Sequence, residues 1–151
     1  MDWDEYIKWG KEAVVWGSEY RKNLRNYPVR SQNKPGETFN SIPSNPPENP
    51  ESIEQIFDDF KKIILPGVTH WQHPRFFAYF PANAAPASVF AEILTNTMGL
   101  QCMLWQTSPS ATELEEKVIE WLRISLDIPK GFGGIIQDTA SSATLTAILT
   151  C

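Results

Sequence analysis

Between Tyr27 and Glu51 the sequence reads YPVRSQNKPGETFNSIPSNPPENPE, and six of the chain's twelve prolines (Pro28, Pro35, Pro43, Pro46, Pro47, Pro50) fall within it. Proline fixes φ and brings no amide hydrogen, so neither a helical ladder nor a central strand can run through such a stretch. The remaining residues there are mostly Asn, Ser and Glu, too polar to form a core. Residues 27–51 therefore read as an extended arm, one expected to cross a surface made by something else.

Helical patterns flank the arm. Before it, Asp2 is a plausible N-cap for a helix from about Trp3 to Asn23. Trp3, Ile7, Gly10, Val14 and Gly17 alternate at spacings of four and three, with Tyr6, Ala13 and Tyr20 alongside, which predicts one apolar stripe. Trp9 and Trp16 lie off that stripe and ask for a second surface, either a broad core face or another subunit. After the arm, SIEQIFDDFKKIILPG opens with a Ser52/Gln55 capping box. It keeps helical period through Ile53, Ile56, Phe57, Phe60, Ile63 and Ile64, and stops at Pro66–Gly67.

A third helix is expected over about Ala87–Met98, ended by Gly99, followed by LQCMLWQT as strand or loop. SPSATELEEKVIEWLRISLDIP is the clearest helix, with Ser108 as N-cap, Pro109 in the first turn, and early glutamates where the helix dipole favours them. Its expected buried stripe is Ala111, Leu114, Val118, Trp121, Leu122 and Ser125. A Gly-rich turn, a very short strand (Ile135–Gln137), a polar bend and a new helix complete the chain. That last helix carries no stop signal, so the chain is expected to be the front portion of a longer protein.

Composition narrows the function classes. The 151 residues are 42% apolar and 21% charged, the balance of a globular domain. A net charge of −5 disfavours a nucleic-acid or acidic-membrane partner, since phosphate binding needs a basic face. Cys102 and Cys151 make neither a disulfide framework nor a metal knuckle, which favours a reducing compartment, the cytoplasm. The acidic start MDWDEYIKWGKE is unlike a signal peptide, and no apolar run approaches the roughly 20 residues of a membrane span.

Two stretches can carry chemistry. In QDTASSAT, small hydroxyl residues sit where a helix begins, and the first helical amides have no intrahelical partner. Thr139, Ser141 and Ser142 could add donors to a phosphate, with Asp138 as an electrostatic objection. An ordinary Ser/Thr helix cap is the competing reading, and these residues alone leave the choice open. The pattern is no P-loop, because no Gly-Lys-Ser/Thr follows. The other stretch, THWQHPRFFAYFPANAAP (residues 69–86), packs both histidines, Trp71 and four more aromatics into a segment with three prolines. His70 and His73 lack a third metal ligand nearby, so hydrogen bonding and stacking are expected of them, and no metal site. Glu113, Glu115, Glu116 and Glu120 read as a solvated helix face.

Three blocks, PGVTHWQHPRFFAYFPANAAPAS, MLWQTSPSATELEEKVIEWL and GGIIQDTASSATL, come in an order and spacing that resemble the amino-terminal third of the pyridoxal-phosphate-dependent group II decarboxylases. The resemblance is nearest to the aromatic-L-amino-acid decarboxylases. It implies an α/β protein of the aspartate-aminotransferase-like (type I) fold and an obligate homodimer. Residues 1–85 would be the N-terminal helical segment lying over the partner subunit, and residues 86–151 the beginning of the large cofactor domain.

It further implies pyridoxal 5′-phosphate as cofactor, with its phosphate cup at Ala140 and Ser141. Trp71, Tyr79, Phe80, Pro81 and Ala82 would wall the substrate pocket, and Gln101 and Met103 would reach the pocket from the other subunit. None of the eight lysines here sits in the family's His-Lys context, so no catalytic residue is expected in this chain and the fragment alone is expected to be inactive. Gln101 puts a polar group where an apolar wall is expected, which leaves the aromatic substrate's identity open. The reaction implied for the full-length protein is decarboxylation of an L-amino acid, aromatic by resemblance, to the amine and CO2. Two alternatives stand beside it: an aldehyde-forming relative of the same family, and a noncatalytic helical fragment that pairs with a full-length subunit.

Overall fold

A computed structural model describes residues 1–80 and 84–150. The chain divides into two compact units, Met1–Ala85 and Pro86–Cys151.

In the first unit, α1 (Trp3–Lys22) begins on a capping box. Asp2 Oδ1 accepts from the amides of Asp4 (3.0 Å) and Glu5 (2.8 Å), and the Glu5 carboxylate accepts from the Asp2 amide (3.3 Å). Four amides that open a helix lack partners, and this pairing satisfies two of them along with the cap's own. The helix stops at Asn23, and a 3-10 turn (Leu24–Asn26) buries Leu24.

The face that α1 uses differs from the expected stripe. Trp3, Ile7 and Val14 are exposed. Trp9, Trp16 and Tyr20 are the residues that pack, and they find their second surface in the same unit. The helix α3 (Ile53–Asp59) widens at Phe60–Ile64 into a π turn and closes in a 3-10 turn at Leu65–Gly67. Trp16 meets Phe60 edge-on with centroids 5.1 Å apart, Trp9 and Trp16 each lie 6.2 Å from Phe57, and Trp16 stacks on Tyr20 at 5.3 Å. The physical reason is area. Two of the five stripe positions are glycines, which offer nothing to bury, whereas each Trp or Tyr ring buries about 150–250 Å².

The Ser52/Gln55 capping box forms as the sequence predicts. The widening follows from Pro66, whose ring excludes the carbonyl four residues back and whose nitrogen cannot donate. The Leu65 amide instead reaches five residues back, to Phe60 O.

The Pro-rich arm is not extended throughout. It contains a five-residue helix, α2 (Glu37–Ser41), started by the Glu37 carboxylate accepting from the Lys34 amide at 2.9 Å. Its first half also bonds within its own unit. His70 N donates to Val29 O (3.0 Å), Ser31 Oγ donates to Pro66 O (3.1 Å), and Asn33 Nδ2 donates to Thr38 Oγ1 (3.1 Å). A Cβ at Gly67 would sit 2.9 Å from Thr38 Oγ1, so a glycine is what lets the arm approach there. Residues 41–51 are exposed.

The second unit holds α4 (Pro86–Met98), α5 (Pro109–Ser125) and α6 (Ala140–Thr150). Gly99, with φ of +59°, ends α4, and its amide bonds Thr95 O at 3.1 Å. The apolar residues Val89, Phe90, Leu94 and Met98 of α4 are exposed. Ser108 stands at the N-cap position of α5, but its hydroxyl makes no cap bond; its carbonyl accepts from Thr112 N and Thr112 Oγ1, both at 3.2 Å. The expected stripe of α5 is corrected in part, with Ala111 and Val118 half-buried as expected. Leu114, Trp121, Leu122 and Ser125 are exposed, and the half-buried face runs through Ala111, Thr112, Glu115, Val118, Ile119 and Arg123. That face is chosen by hydrogen bonds to the segment after the helix: Arg123 Nη1 donates to Ile128 O, and Ile136 N donates to Glu115 Oε1 at 3.0 Å. Three of the four glutamates thus hold partners instead of only facing water, since Glu113 accepts from Trp105 Nε1 (2.9 Å) and Glu120 from Arg123 Nε (2.8 Å).

No strand occurs among the described residues, so the sheet of the expected α/β fold is not seen and Ile135–Gln137 is irregular. A strand exists only where a neighbour accepts its ladder, and parallel neighbours are joined by crossovers of a dozen or more residues. Among residues 86–150 no second extended segment pairs with this one.

Candidate active site

The aromatic stretch after α3 is built on two buried histidines. His70 and His73 are only 2% and 3% exposed. His70 Nδ1 lies 2.7 Å from Tyr20 Oη, and its ring lies 4.9 Å from that of Tyr27 and 5.6 Å from that of Tyr20. Burial pushes the His70 imidazole below its ordinary pKa, and nearby His73 adds to the fall. Burial likewise raises the Tyr20 phenol, helped by Tyr27. The phenol and the imidazole nitrogen share one hydrogen bond, whose direction follows the tautomer of the imidazole.

The chain then climbs by short-range bonds, His73 N to His70 O and Phe76 N to His73 O, both at 2.9 Å. Arg75 N donates to His73 Nδ1 at 3.0 Å, which places the His73 proton on Nε2, a buried atom with no partner among the described residues. Both histidines hydrogen-bond as expected, and His70 also makes tilted ring contacts, with α1 and the arm supplying its partners. Among the described residues no cluster of His, Cys, Asp and Glu can hold a metal ion.

On this footing stands a ring stack. Trp71 lies parallel to Tyr79 (5.4 Å, 14°) and nearly so to Phe76 (5.1 Å, 27°). Tyr79 has φ of +55°, a left-handed conformation that a non-glycine residue adopts only under constraint from its surroundings. Phe80 beside it is 98% exposed and offers a whole ring face to a ligand or partner. Of the five wall residues read from the sequence, the structure brings together Trp71 and Tyr79 and leaves Phe80 projecting; Pro81 and Ala82 lie outside the described residues. Phe76, the third ring of the stack, was missed, although it stands in the same sequence block. The Tyr20–His70 and Arg21–Gln72 (3.2 Å) bonds, across 50 and 51 residues, had no local signal.

In the second unit, Gln101 and Met103 lie in the irregular segment between α4 and α5, both exposed. Ala140 and Ser141 are the first two residues of α6. The first helical bond runs from Ala143 N to Thr139 O (3.0 Å), so the three preceding amides have no intrahelical acceptor. Thr139 Oγ1 takes the amide of Ser142 (3.2 Å) and pairs with the Ser142 hydroxyl (3.0 Å). The amides of Ala140 and Ser141 and the Ser141 hydroxyl remain for an outside acceptor, at the positive end of the helix dipole.

Asp138 is held below the usual carboxylate range by the Ser142 hydroxyl and by backbone amides, its own and that of Thr139. An open depression lined by Ala140, Ser141, Thr144, Leu145 and Ile148 runs along the helix from this point. Two open amides, a hydroxyl and small side chains suit a phosphate monoester, so the residues present fit the phosphate of pyridoxal 5′-phosphate.

Comparison with known proteins bears on both places. The chain is 39% identical over 155 aligned residues to phenylacetaldehyde synthase of Arabidopsis thaliana, covering 99% of this chain and 32% of that protein. Among solved structures it is similar to Catharanthus roseus tryptophan decarboxylase in complex with L-tryptophan, with a TM-score of 0.92 and 37% identity over 99% of this chain and 33% of that one. Oryza sativa TDC with PLP and tryptamine gives a TM-score of 0.90 at 29% identity, again over 99% of this chain and 34% of that one. The chain thus spans about a third of the length of the relatives it matches. Residues 35–151, which include the ring stack and the opening of α6, match the pyridoxal-dependent decarboxylase conserved domain, and the chain belongs to that family.

Proposed function

We propose that the complete polypeptide carrying this chain is a homodimeric, cytoplasmic enzyme that removes the carboxylate of an aromatic L-amino acid as CO2 and releases the amine. The observation that carries this reading is the match over nearly the whole chain to a tryptophan decarboxylase solved with L-tryptophan. When bound, pyridoxal 5′-phosphate supplies the electron sink that makes loss of CO2 feasible.

The chain's own residues would do the holding. The amides of Ala140 and Ser141 and the Ser141 hydroxyl would bind the phosphate. Trp71, Tyr79 and Phe80, with Pro81 and Ala82, would wall an apolar cavity for the substrate ring and keep water from it. Gln101 and Met103 would face the same cavity from the second subunit.

The test is Ser141→Ala in the complete enzyme. Thr139 and Ser142 hydroxyls are paired with each other, so Ser141 is the free hydroxyl of the cup. A hydrogen bond to a charged group contributes roughly 1.5–3 kcal/mol, which corresponds to about ten- to a hundredfold weaker cofactor binding. An apoenzyme titration that returns the wild-type dissociation constant would reject the assignment.

A second reading has its own observation, the 39% identity to phenylacetaldehyde synthase. On that reading the substrate loses CO2 and its amino group, O2 is reduced to hydrogen peroxide, and one water supplies the aldehyde oxygen, giving an aldehyde, CO2, ammonia and hydrogen peroxide. Product analysis decides between amine alone and aldehyde with peroxide.

A further inference from the structure

We propose that Tyr20 is a positioning residue for the aromatic wall: its hydroxyl, 2.7 Å from Nδ1 of buried His70, seats that ring against α1 and the arm and thereby fixes where Trp71 stands. The inference rests on the reading that Trp71 and Tyr79 wall the substrate pocket.

Its grounds are a chain of contacts with no slack in it. His70 is held on three sides, by Tyr20 Oη through its ring, by Val29 O through its amide (3.0 Å), and by the ring of Tyr27 at 4.9 Å. Its carbonyl in turn receives the amide of His73, which starts the climb to Phe76. Trp71 is the next residue along the chain, and its ring is the common member of the stack with Phe76 and Tyr79. Arg21, one residue beyond Tyr20, donates to Gln72 Oε1 at 3.2 Å, so the last turn of α1 grips the loop on both sides of Trp71. Rotation of the His70 ring is the remaining freedom, and the Tyr20 hydroxyl removes it. Without that hydroxyl Nδ1 loses its hydrogen-bond partner, and the buried ring must turn or admit water.

The experiment uses the complete holoenzyme and Tyr20→Phe, which keeps the ring and its stack on Trp16. The expected result is a KM for the aromatic substrate raised about tenfold, the scale of one lost hydrogen bond, with kcat and cofactor affinity within about twofold. Amide exchange at His70, His73 and Phe76, whose bonds carry the climb, should quicken by a similar factor. His70→Asn and His70→Gln give an independent arm that stands even if Tyr20→Phe does not fold. The Asn carbonyl oxygen is as many bonds from Cβ as Nδ1, so Asn should keep KM near the wild-type value while Gln, whose amide lies one carbon farther, should not.

An unchanged KM in Tyr20→Phe overturns the proposal, as does a fall of kcat and cofactor affinity in step with KM, or equal behaviour of Asn and Gln. Failure of the underlying reading shows separately. Wild-type enzyme that takes up no pyridoxal 5′-phosphate, or turns over no aromatic amino acid, removes the wall before any variant is made.

Discussion

Replacing Trp16 by alanine tests which face of α1 holds the first unit together. The ring of Trp16 makes three aromatic contacts, with Phe60 at 5.1 Å, Tyr20 at 5.3 Å and Phe57 at 6.2 Å. Each such pair adds about 0.5–1.5 kcal/mol beyond area burial, so the three together account for about 1.5–4.5 kcal/mol. Truncation of a fully buried Trp costs about 3–5 kcal/mol, and Trp16 is only half-buried, which brings the expectation to about 2–4 kcal/mol. Val14 is the control. It belongs to the stripe that sequence periodicity favours, yet it is 60% exposed, so Val14→Ala should stay within about 0.5 kcal/mol.

Opening free energies of α1 amides, from native-state hydrogen exchange at dilution, report both. Trp16→Ala should lower them throughout the middle of the helix, and Val14→Ala should leave them alone. A Val14 effect that grows with protein concentration would report a second copy on the stripe. A concentration-independent Val14 effect larger than that of Trp16 would refute the assignment of the packed face.

The His70 imidazole is held below its ordinary pKa, so near pH 6.5 and just under it the unfolded chain binds more protons than the folded one. The stability of the first unit is therefore complete above about pH 6.5 and falls as the pH drops from there toward the depressed value, by at most about 1.4 kcal/mol per pH unit for one proton. Denaturation midpoints measured between pH 7.5 and 5.5 should show this slope, and His70→Asn should flatten it. At the end of α5, Asp127 has φ of +53° and forms the turn in which Ile128 N reaches Arg123 O (3.0 Å) and Asp127 N reaches Ile124 O (3.1 Å). Glycine takes that conformation without a Cβ penalty, so Asp127→Gly should raise stability by about 0.5–1 kcal/mol in a urea titration, and a loss would show that the Asp side chain matters more than its backbone.

Helix positions were legible because their signals are local. The Asp2 and Ser52 caps, Pro66–Gly67 after α3 and Gly99 after α4 each act within one turn, and each stands where the pattern puts it. Burial was less legible, because it depends on what a helix meets. Counting apolar positions favoured the Trp3–Val14 stripe over Trp9 and Trp16, and in α5 it placed Val118 correctly but favoured Leu114 and Leu122 over Ile119; in both cases the chosen face was the one with a neighbour to hold. The family was legible from three ordered blocks, while the grip of α1 on His70 and Gln72 joins residues 50 and 51 apart and leaves no trace in either local pattern.

The opening of α6 keeps a carboxylate close to a helix N-terminus and still leaves two amides open. Asp138 sits immediately before the helix, where its charge would compete with a phosphate for the same dipole. The Ser142 hydroxyl and nearby backbone amides, Thr139's among them, hold its carboxyl below the usual carboxylate range. Thr139 in turn spends its oxygen on the Ser142 amide. Asp138, Thr139 and Ser142 thus close on one another, which is the ordinary Ser/Thr cap that the sequence also allowed. The cap and the phosphate cup are then not rival readings. The cap consumes the third amide and two of the three hydroxyls, and in doing so leaves Ala140 and Ser141 as the donors that an incoming phosphate can take.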